Sequence, residues 1–370
     1  MAEVDFNGEM YEMIDNELYY DDVKYVANLK LPWEKIKDST VMITGASGLI
    51  GSALIDSIMY RNLHNKMNCT IFAIGRNVEK AKQRFFGYWD NDCFNFIVHD
   101  INLPLDDIFP NKIDYIIHLA SNTHPVAYAT DPIGTVTANI IGTNNLLEYA
   151  VNHKTRRFMF ASSNEIYGEN RGDVEFFDEH YCGYIDSNTL RAGYPESKRC
   201  GEALCQAYLK QKDLDVVIPR LTRSYGPTML MSDTLIFSDT KAISQFIKKG
   251  IEGEDIVLKS EGTQYYSYTY MLDAVAGLLT VLLKGDSGNA YNIADESGDI
   301  MLKDLASIIA GYADRKVVFE LPDDVEKAGY STATKARLAG SKIRKLGWKP
   351  RYNIRDGIIR TIEILKKVAM

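Results

Sequence analysis

The sequence predicts an α/β fold with a doubly wound parallel sheet, and three observations carry that expectation. Short apolar runs alternate with stretches of helical spacing from residue 40 to residue 219, an order that builds parallel sheets with helices on both faces. A glycine-rich turn, Gly45-Ala-Ser-Gly48-Leu-Ile-Gly51, joins the first apolar run to the first helical stretch. The composition, 46% hydrophobic and 25% charged over 370 residues, is that of a globular chain with ample core.

Taken in order, Thr40–Thr44 is a continuous apolar run closed by glycine, the pattern of a strand buried on both faces. Leu49–Tyr60 has helical spacing. Thr70–Ile74, Phe94–Val98 and Tyr115–Ala120 read as the second, third and fourth strands, and a long helix follows over Ile133–His153. Arg157–Ala161 is the fifth strand. A helix over Tyr194–Lys212 leads into the sixth strand, Asp215–Pro219. Beyond residue 221 the rhythm weakens. Helices over Thr240–Lys249, Asp273–Leu283 and Lys303–Tyr312 mix with short strands at Ile256–Leu258 and Tyr291–Ile293. The expected organisation is a nucleotide-binding domain of Rossmann type over 40–221. A smaller α+β substrate lobe over 222–370 closes on the carboxyl edge of the sheet, with some of its segments free to return to that sheet. Residues 1–39, rich in Tyr, Asp and Glu and amphipathic near 21–31, read as an N-terminal extension.

The formal charge of −8 argues against a nucleic-acid binder, because phosphate backbones attract basic surfaces. No run approaches the roughly 18 apolar residues of a membrane helix, and the acidic N-terminus lacks a signal-peptide layout. A cytoplasmic protein is expected. The five cysteines form no CxxC pair, so neither a disulfide frame nor a zinc site is expected. The six histidines show no metal spacing; His118 and His124 merely flank a strand-end loop. No metal is assigned.

The glycine turn carries the first chemistry. Its first glycine permits a tight turn, the second a close approach to pyrophosphate, and the third close helix–strand packing. The helix start then offers free N–H groups and a positive dipole end to phosphate. Gly45, Ser47, Gly48, Leu49, Ile50 and Gly51 therefore form a dinucleotide cradle. Where NAD readers place an acid at the tip of the second strand, this chain has Ala73-Ile74-Gly75-Arg76-Asn77. Arg76 can pair with a 2′-phosphate, which favours NADP over NAD. Asp100, with Ile101 after the third strand, suits a contact to the adenine.

A tyrosine serves as acid or base near neutral pH only when nearby positive charge lowers its pKa. Tyr-x-x-x-Lys sets an ammonium one helical turn from the phenol. The pattern occurs at Tyr20/Lys24, Tyr194/Lys198, Tyr208/Lys212 and Tyr312/Lys316. Position selects Tyr194-Pro-Glu-Ser-Lys198, which follows the fifth strand and so lies at the carboxyl edge of the sheet, where the nicotinamide would sit. Directly after that strand come Ser162-Ser163-Asn164-Glu165, and a serine there can hold a substrate hydroxyl beside the tyrosine.

Together these segments resemble the extended short-chain dehydrogenase/reductases, specifically the NAD-dependent epimerase/dehydratase group. The matching pieces are GASGLIG at 45–51, HLAS at 118–121, NIIGTNNLLE at 139–148 and SSNEIYG at 162–168, followed by YPESK at 194–198, RSYGP at 223–227, YNIA at 291–294 and LGWKP at 346–350. The resemblance spans residues 40–367 in the family's order. It adds Ala120, Ser121 and Asn139 to the cofactor contacts and Asn122 and Thr123 to the substrate contacts. It implies a homodimer built on the helices near 133–153 and 194–212.

It also implies a nucleotide-diphosphate sugar as substrate and a shared first step. Tyr194 removes the C4-hydroxyl proton as hydride leaves C4, Lys198 lowers the tyrosine's pKa and holds the nicotinamide ribose, and Ser163 orients the hydroxyl. The 4-keto sugar then branches toward 4,6-dehydration, decarboxylation or 4-epimerisation. Glu165 matches the acid that the family's dehydratases and decarboxylases carry, a sensible base for the proton at C5. Asn164 stands where Asp-Glu dehydratases carry a proton-donating aspartate, and an amide cannot donate that proton; the resemblance places serine there in decarboxylases and in the GDP-mannose type of dehydratase, so a neutral polar residue is compatible with either. These residues favour a dehydratase or decarboxylase, with 4-epimerase next, an NADPH-dependent 4-ketoreductase third, and a catalytically silent nucleotide-binding protein as the reading from another class. Two departures stand out. Arg223 replaces the family's usual asparagine, and Tyr266 replaces the arginine that usually meets the substrate diphosphate. A guanidinium suits phosphate, so Arg223 is expected to restore the charge missing at Tyr266.

Overall fold

A computed structural model describes residues 13–105, 109, 112–123, 128, 130–227, 241–320 and 334–368. His124 and the first residue of the helix expected at 240 lie outside these residues.

Helix α1 (Glu17–Ala27) comes first, capped by Asn16, whose side chain accepts from the Leu18 and Tyr19 amides. Strand β1 (Thr40–Thr44), α2 (Leu49–Asn65), β2 (Thr70–Gly75), α3 (Val78–Arg84), β3 (Phe94–Val98) and β4 (Tyr115–His118) follow. Next come α4 (Pro132–Thr137), a π turn over Ala138–Gly142, α5 (Thr143–Asn152), β5 (Arg157–Phe160) and β6 (Ser162–Ser163). Helix α6 (Gly193–Lys212) leads to β7 (Val216–Leu221) and β8 (Arg223–Tyr225). Beyond them lie α7 (Ala242–Glu252), β9 (Ile256–Leu258), β10 (Tyr265–Tyr270), α8 (Met271–Lys284) and β11 (Ala290–Ile293). The chain ends through β12 (Asp299–Met301), α9 (Leu302–Tyr312), β13 (Val317–Phe319), β14 (Lys335–Ala336), α10 (Ser341–Lys345) and α11 (Ile354–Val368).

The main sheet runs β11-β7-β5-β4-β1-β2-β3, with β6 beside β7 and every pairing parallel. Val41 and Ile43 of β1 face one core and Met42 the other, and none of the three is exposed. This is why the parallel strands read as unbroken apolar runs rather than as alternations. Strand β1 sits between β2 and β4, so successive crossovers leave it in opposite directions. Ligands bind at such a reversal, outside the carboxyl ends of the strands.

Two segments beyond residue 221 belong to this sheet. β11 pairs with β7, and α8 packs against α2 and β7. Helix α8 is buried from Met271 through Leu283, as a helix that is apolar on all sides must be. A second sheet runs β12-β10-β14 with β8 beside β10, and β9 pairs with β13. No helix among the described residues is long and apolar enough to cross a membrane. The five cysteines are free thiols.

The N-terminal segment is an integral brace. Tyr19 is fully buried and its hydroxyl donates to Asp56 Oδ2 at 2.6 Å, while Arg84 pairs with the same carboxylate. Asp22, only 1% exposed, accepts from five donors. Its Oδ1 takes the Tyr352 hydroxyl at 2.8 Å, Arg360 Nη2 at 3.0 Å and Arg351 Nη1 at 3.1 Å. Its Oδ2 takes the Tyr270 hydroxyl at 2.8 Å and Arg360 Nε at 3.1 Å. One carboxylate thus ties α1 to β10 and to the C-terminal helix. Removing one member of a buried ion-pair network leaves the others without a partner and costs about 3–5 kcal/mol. Asp22→Ala is therefore expected to lower the urea midpoint by a loss of that size at unchanged slope. A loss below about 1 kcal/mol, the range of an exposed pair, would contradict the bracing role.

Candidate active site

A cavity of about 950 Å³ opens at the carboxyl ends of β1, β2, β4 and β5 and is lined on its other side by α7, β9 and β10. It is at the upper end of the size of ligand pockets.

The floor is the glycine turn. Gly45 has φ +70°, and a Cβ there would stand 2.8 Å from the Ala120 backbone nitrogen. A Cβ on Gly51 would stand 2.4 Å from the Gly45 carbonyl oxygen. The turn, the first turn of α2 and the loop after β4 therefore fit together only without side chains. Gly48 caps α2, no side chain satisfies its first amides, and no acid sits in its first turn. Those N–H groups and the dipole end are left for an anion. Gly45, Ser47, Gly48, Leu49, Ile50 and Gly51 all line the cavity. This geometry fits a dinucleotide diphosphate.

Arg76, Asp100, Ile101, Ala120 and Ser121 also line the cavity. Arg76 is exposed, just past the end of β2. Asp100 accepts the Asn102 amide at 3.0 Å. Asn139 does not reach the cavity: it is fully buried, where Ser121 donates to its Oδ1 at 2.9 Å and its Nδ2 donates to Ser197 at 3.0 Å. It steadies Ser121 and the tyrosine helix from behind. Asn122 and Thr123 border the cavity, with the Asn122 amide donating to Thr135 at 3.2 Å. His118 is buried between Thr44 and Thr143, and burial with the nearby Lys198 charge holds its pKa down at about 3. Among the described residues no cluster could hold a metal ion.

Ser163, Asn164, Glu165, Tyr194 and Lys198 converge on one wall. Ser163 ends β6, and its hydroxyl accepts the Glu165 amide at 3.2 Å. Tyr194 and Lys198 occupy the first two turns of α6 and are 6% and 3% exposed. Burial dominates the Tyr194 phenol and pushes its pKa up; the Glu165 charge adds to this, while Ser163 and Arg191 pull it down. Lys198 is anchored elsewhere. Its Nζ donates to the Ala161 carbonyl at 2.9 Å and lies 4.7 Å from the centroid of the Phe160 ring. Burial depresses its pKa to about 7.

Two neighbours escaped the sequence reading. Arg191 Nη2 donates to both Glu165 oxygens, at 2.8 and 2.7 Å. Tyr128 stacks on Tyr194 with ring centroids 5.0 Å apart, and the Arg191 guanidinium lies 4.8 Å from the same ring's centroid. No motif marks either residue. The available signal for Arg191 was its place three residues before Tyr194. Across the cavity, Arg223 lies 3.6 Å over the Tyr266 ring with its Nη1 buried and without an acceptor. Both residues line the cavity.

The family profile described as NAD dependent epimerase/dehydratase matches residues 41–294. The chain belongs to this family. As a member it is an enzyme that uses a nicotinamide cofactor. The chain is similar to UDP-glucuronic acid decarboxylase 6 of Arabidopsis thaliana, at 30% identity over 86% of each chain. It is similar also to UDP-glucuronic acid decarboxylase 1 of Xenopus tropicalis, at 29% identity over 88% of this chain and 72% of that one. Among solved structures, UDP-glucose 4-epimerase of Thermotoga maritima superposes with a TM-score of 0.73 at 22% identity, covering 90% of this chain and all of that one. The dTDP-glucose 4,6-dehydratase of Streptomyces venezuelae, solved with NAD, superposes at 0.71 with 21% identity, covering 89% and 97%. The epimerase/dehydratase fold is thus common to enzymes of different outcome, and the residues around Tyr194 must separate them.

Because the Lys198 ammonium is buried, the folded protein releases its proton near pH 7, whereas the unfolded chain keeps it to about pH 10. This group's contribution to stability is absent below pH 7 and grows as pH rises through that window. A carbon-13 lysine titration of the cofactor-free protein, assigned with Lys198→Met, is expected to show one lysine with a midpoint near 7. A midpoint in the ordinary lysine range would mean that the ammonium is solvated.

Proposed function

We propose that this enzyme is a nucleotide-sugar decarboxylase, which oxidises C4 of a nucleotide-linked uronic acid and releases its C6 carboxylate as CO2. One observation carries the choice over dehydration: both oxygens of Glu165 are held by Arg191. Dehydration needs a free base for the C5 proton and an acid for the departing C6 hydroxyl. Glu165 is occupied, and Asn164 has no proton to give. Decarboxylation needs neither group. The similarity to two UDP-glucuronic acid decarboxylases over most of the chain supports the same reading.

Burial keeps the Tyr194 phenol protonated in the cofactor-free protein, so positive charge brought by the cofactor would ionise it; it then takes the C4-hydroxyl proton while Ser163 orients that oxygen. A bound nicotinamide supplies hydride acceptance and return at C4. With C4 a ketone, the C5–C6 bond breaks, CO2 leaves, and the bonding pair enters the carbonyl as an enolate. The enolate takes at C5 a proton from water, the one proton that the overall reaction consumes, and as hydride returns to C4 Tyr194 gives its proton back to the C4 oxygen. Lys198, Gly45, Ser47, Gly48, Leu49, Ile50 and Gly51 would hold the cofactor, with Arg76 directed to a 2′-phosphate and NADP preferred. Arg223, seated on Tyr266, would take the substrate diphosphate, since a buried guanidinium nitrogen without an acceptor suits an anion. Ile133 and Ile141, 77% and 46% exposed on the α4–α5 helical segment, support a homodimer built on that face and α6.

Incubation with a panel of nucleotide-sugars, followed by mass analysis, is expected to show loss of one CO2 from a nucleotide uronic acid. Loss of water, unchanged mass or gain of two hydrogens would overturn the assignment. Tyr194→Phe should lower kcat by about 10²–10⁴-fold. Arg223→Ala should raise KM about 10- to 100-fold with little change in kcat; an unchanged KM would sink its role. Arg76→Ala should weaken NADP binding about 10-fold and leave NAD binding unaltered; an equal effect on both would remove the case for NADP.

A further inference from the structure

We propose that Arg191 reads the C6 carboxylate of the substrate, and that Glu165 is there to temper the charge with which it does so. The inference rests on the uronic-acid reading above and deepens it.

The pair is built incompletely for a structural salt bridge. An arginine and a carboxylate that serve only each other align two nitrogens with two oxygens. Here Nη2 alone spans both Glu165 oxygens, and Nη1 is buried with no acceptor. The side chain is still 40% exposed on the cavity wall. Tyr128 covers one face of the guanidinium and stacks on Tyr194, so the guanidinium lies beside the reacting phenol. A C6 carboxylate is the substrate group that such a cation selects. A neutral C6 hydroxymethyl would bring no charge to it.

Selection alone would hinder the reaction. As CO2 forms, negative charge leaves the carboxylate and moves into the ring, so a lone guanidinium gripping that carboxylate would stabilise the ground state more than the transition state. Glu165 on the same guanidinium offsets its charge. The substrate carboxylate is then recognised by geometry without being held by a full unpaired cation. Glu165 thereby acts as a positioning residue rather than as a base at C5. The pair also bears on Tyr194 from opposite sides, Glu165 raising its pKa and Arg191 lowering it.

The test uses cofactor-loaded protein and two probes, UDP-glucuronic acid and UDP-glucose, with binding measured in a Tyr194→Phe background that halts turnover. Glu165→Gln is expected to tighten UDP-glucuronic acid binding by about 10-fold while leaving UDP-glucose binding unchanged. In the active protein the same substitution lowers kcat and moves the pH profile of kcat to lower pH. Arg191→Gln is expected to weaken UDP-glucuronic acid binding about 100-fold, again sparing UDP-glucose, and Arg191→Lys to recover part of it. A Glu165→Gln protein with unaltered UDP-glucuronic acid affinity and a reduced kcat would identify a base and overturn the inference. So would Arg191→Gln weakening both probes alike. If the unmodified enzyme released no CO2 from any nucleotide uronic acid, the decarboxylase reading itself would fail. CO2 release with undisturbed selectivity in Arg191→Gln would remove only the present inference.

Discussion

The chain reversal at β1 is the constraint on which the rest of the molecule depends. With β2 on one side and β4 on the other, the connections leaving β1 and β4 must part, and a cleft opens between them. The Gly45 turn fills its base, and the β4 loop passes so close that Ala120 excludes any side chain at Gly45. Strand β5 then lies beside β4, so the segment leaving it delivers Ser163 and Glu165 to the same edge. Helix α6 returns antiparallel to the sheet, with Tyr194 and Lys198 in its first turns. The site is therefore a consequence of strand order before it is a matter of side chains.

Much of this was legible in the sequence because buried parallel strands announce themselves. β1, β3 and β9 have the bounds read from their apolar runs, and the strands and helices around them differ by a few residues at their ends. The proposed trio was legible for another reason: among four Tyr-x-x-x-Lys pairs, only Tyr194/Lys198 lies at the start of the helix that joins the fifth strand to the sixth. What could not be read was direction. The resemblance implies a cofactor contact at Asn139, yet Asn139 sits in a π turn over Ala138–Gly142. A π turn adds a residue to the helical repeat and changes the face that its side chains present. Asn139 therefore points into the helix packing and holds Ser121 and Ser197. Likewise Arg191 lies in a stretch of no clear period, Asn188-Thr-Leu-Arg-Ala-Gly, and its meeting with Glu165 spans 26 residues.

The N-terminal segment illustrates the same limit at longer range. Its amphipathic pattern says that one face of α1 is covered, but not by what. Asp22 meets Arg360 across 338 residues of chain. A buried carboxylate surrounded by two guanidiniums and two phenols persists only if all of them are placed together. The segment that looked like an appendage is thus bound into the core that supports β10, and through β10 it supports that side of the cavity.

The paired departures at Arg223 and Tyr266 follow from the register of the second sheet. β8 and β10 run parallel with Arg223 opposite Tyr268. Side chains two residues apart on a strand share a face, so Tyr266 lies on the same side as Arg223, and the ring forms a seat for the guanidinium at 3.6 Å. Moving the cation from one strand to its neighbour keeps a positive group on the same cavity wall. Resting it on an aromatic face rather than on a carboxylate holds it without consuming its donors. The Nη1 of Arg223 is buried on that seat without an acceptor.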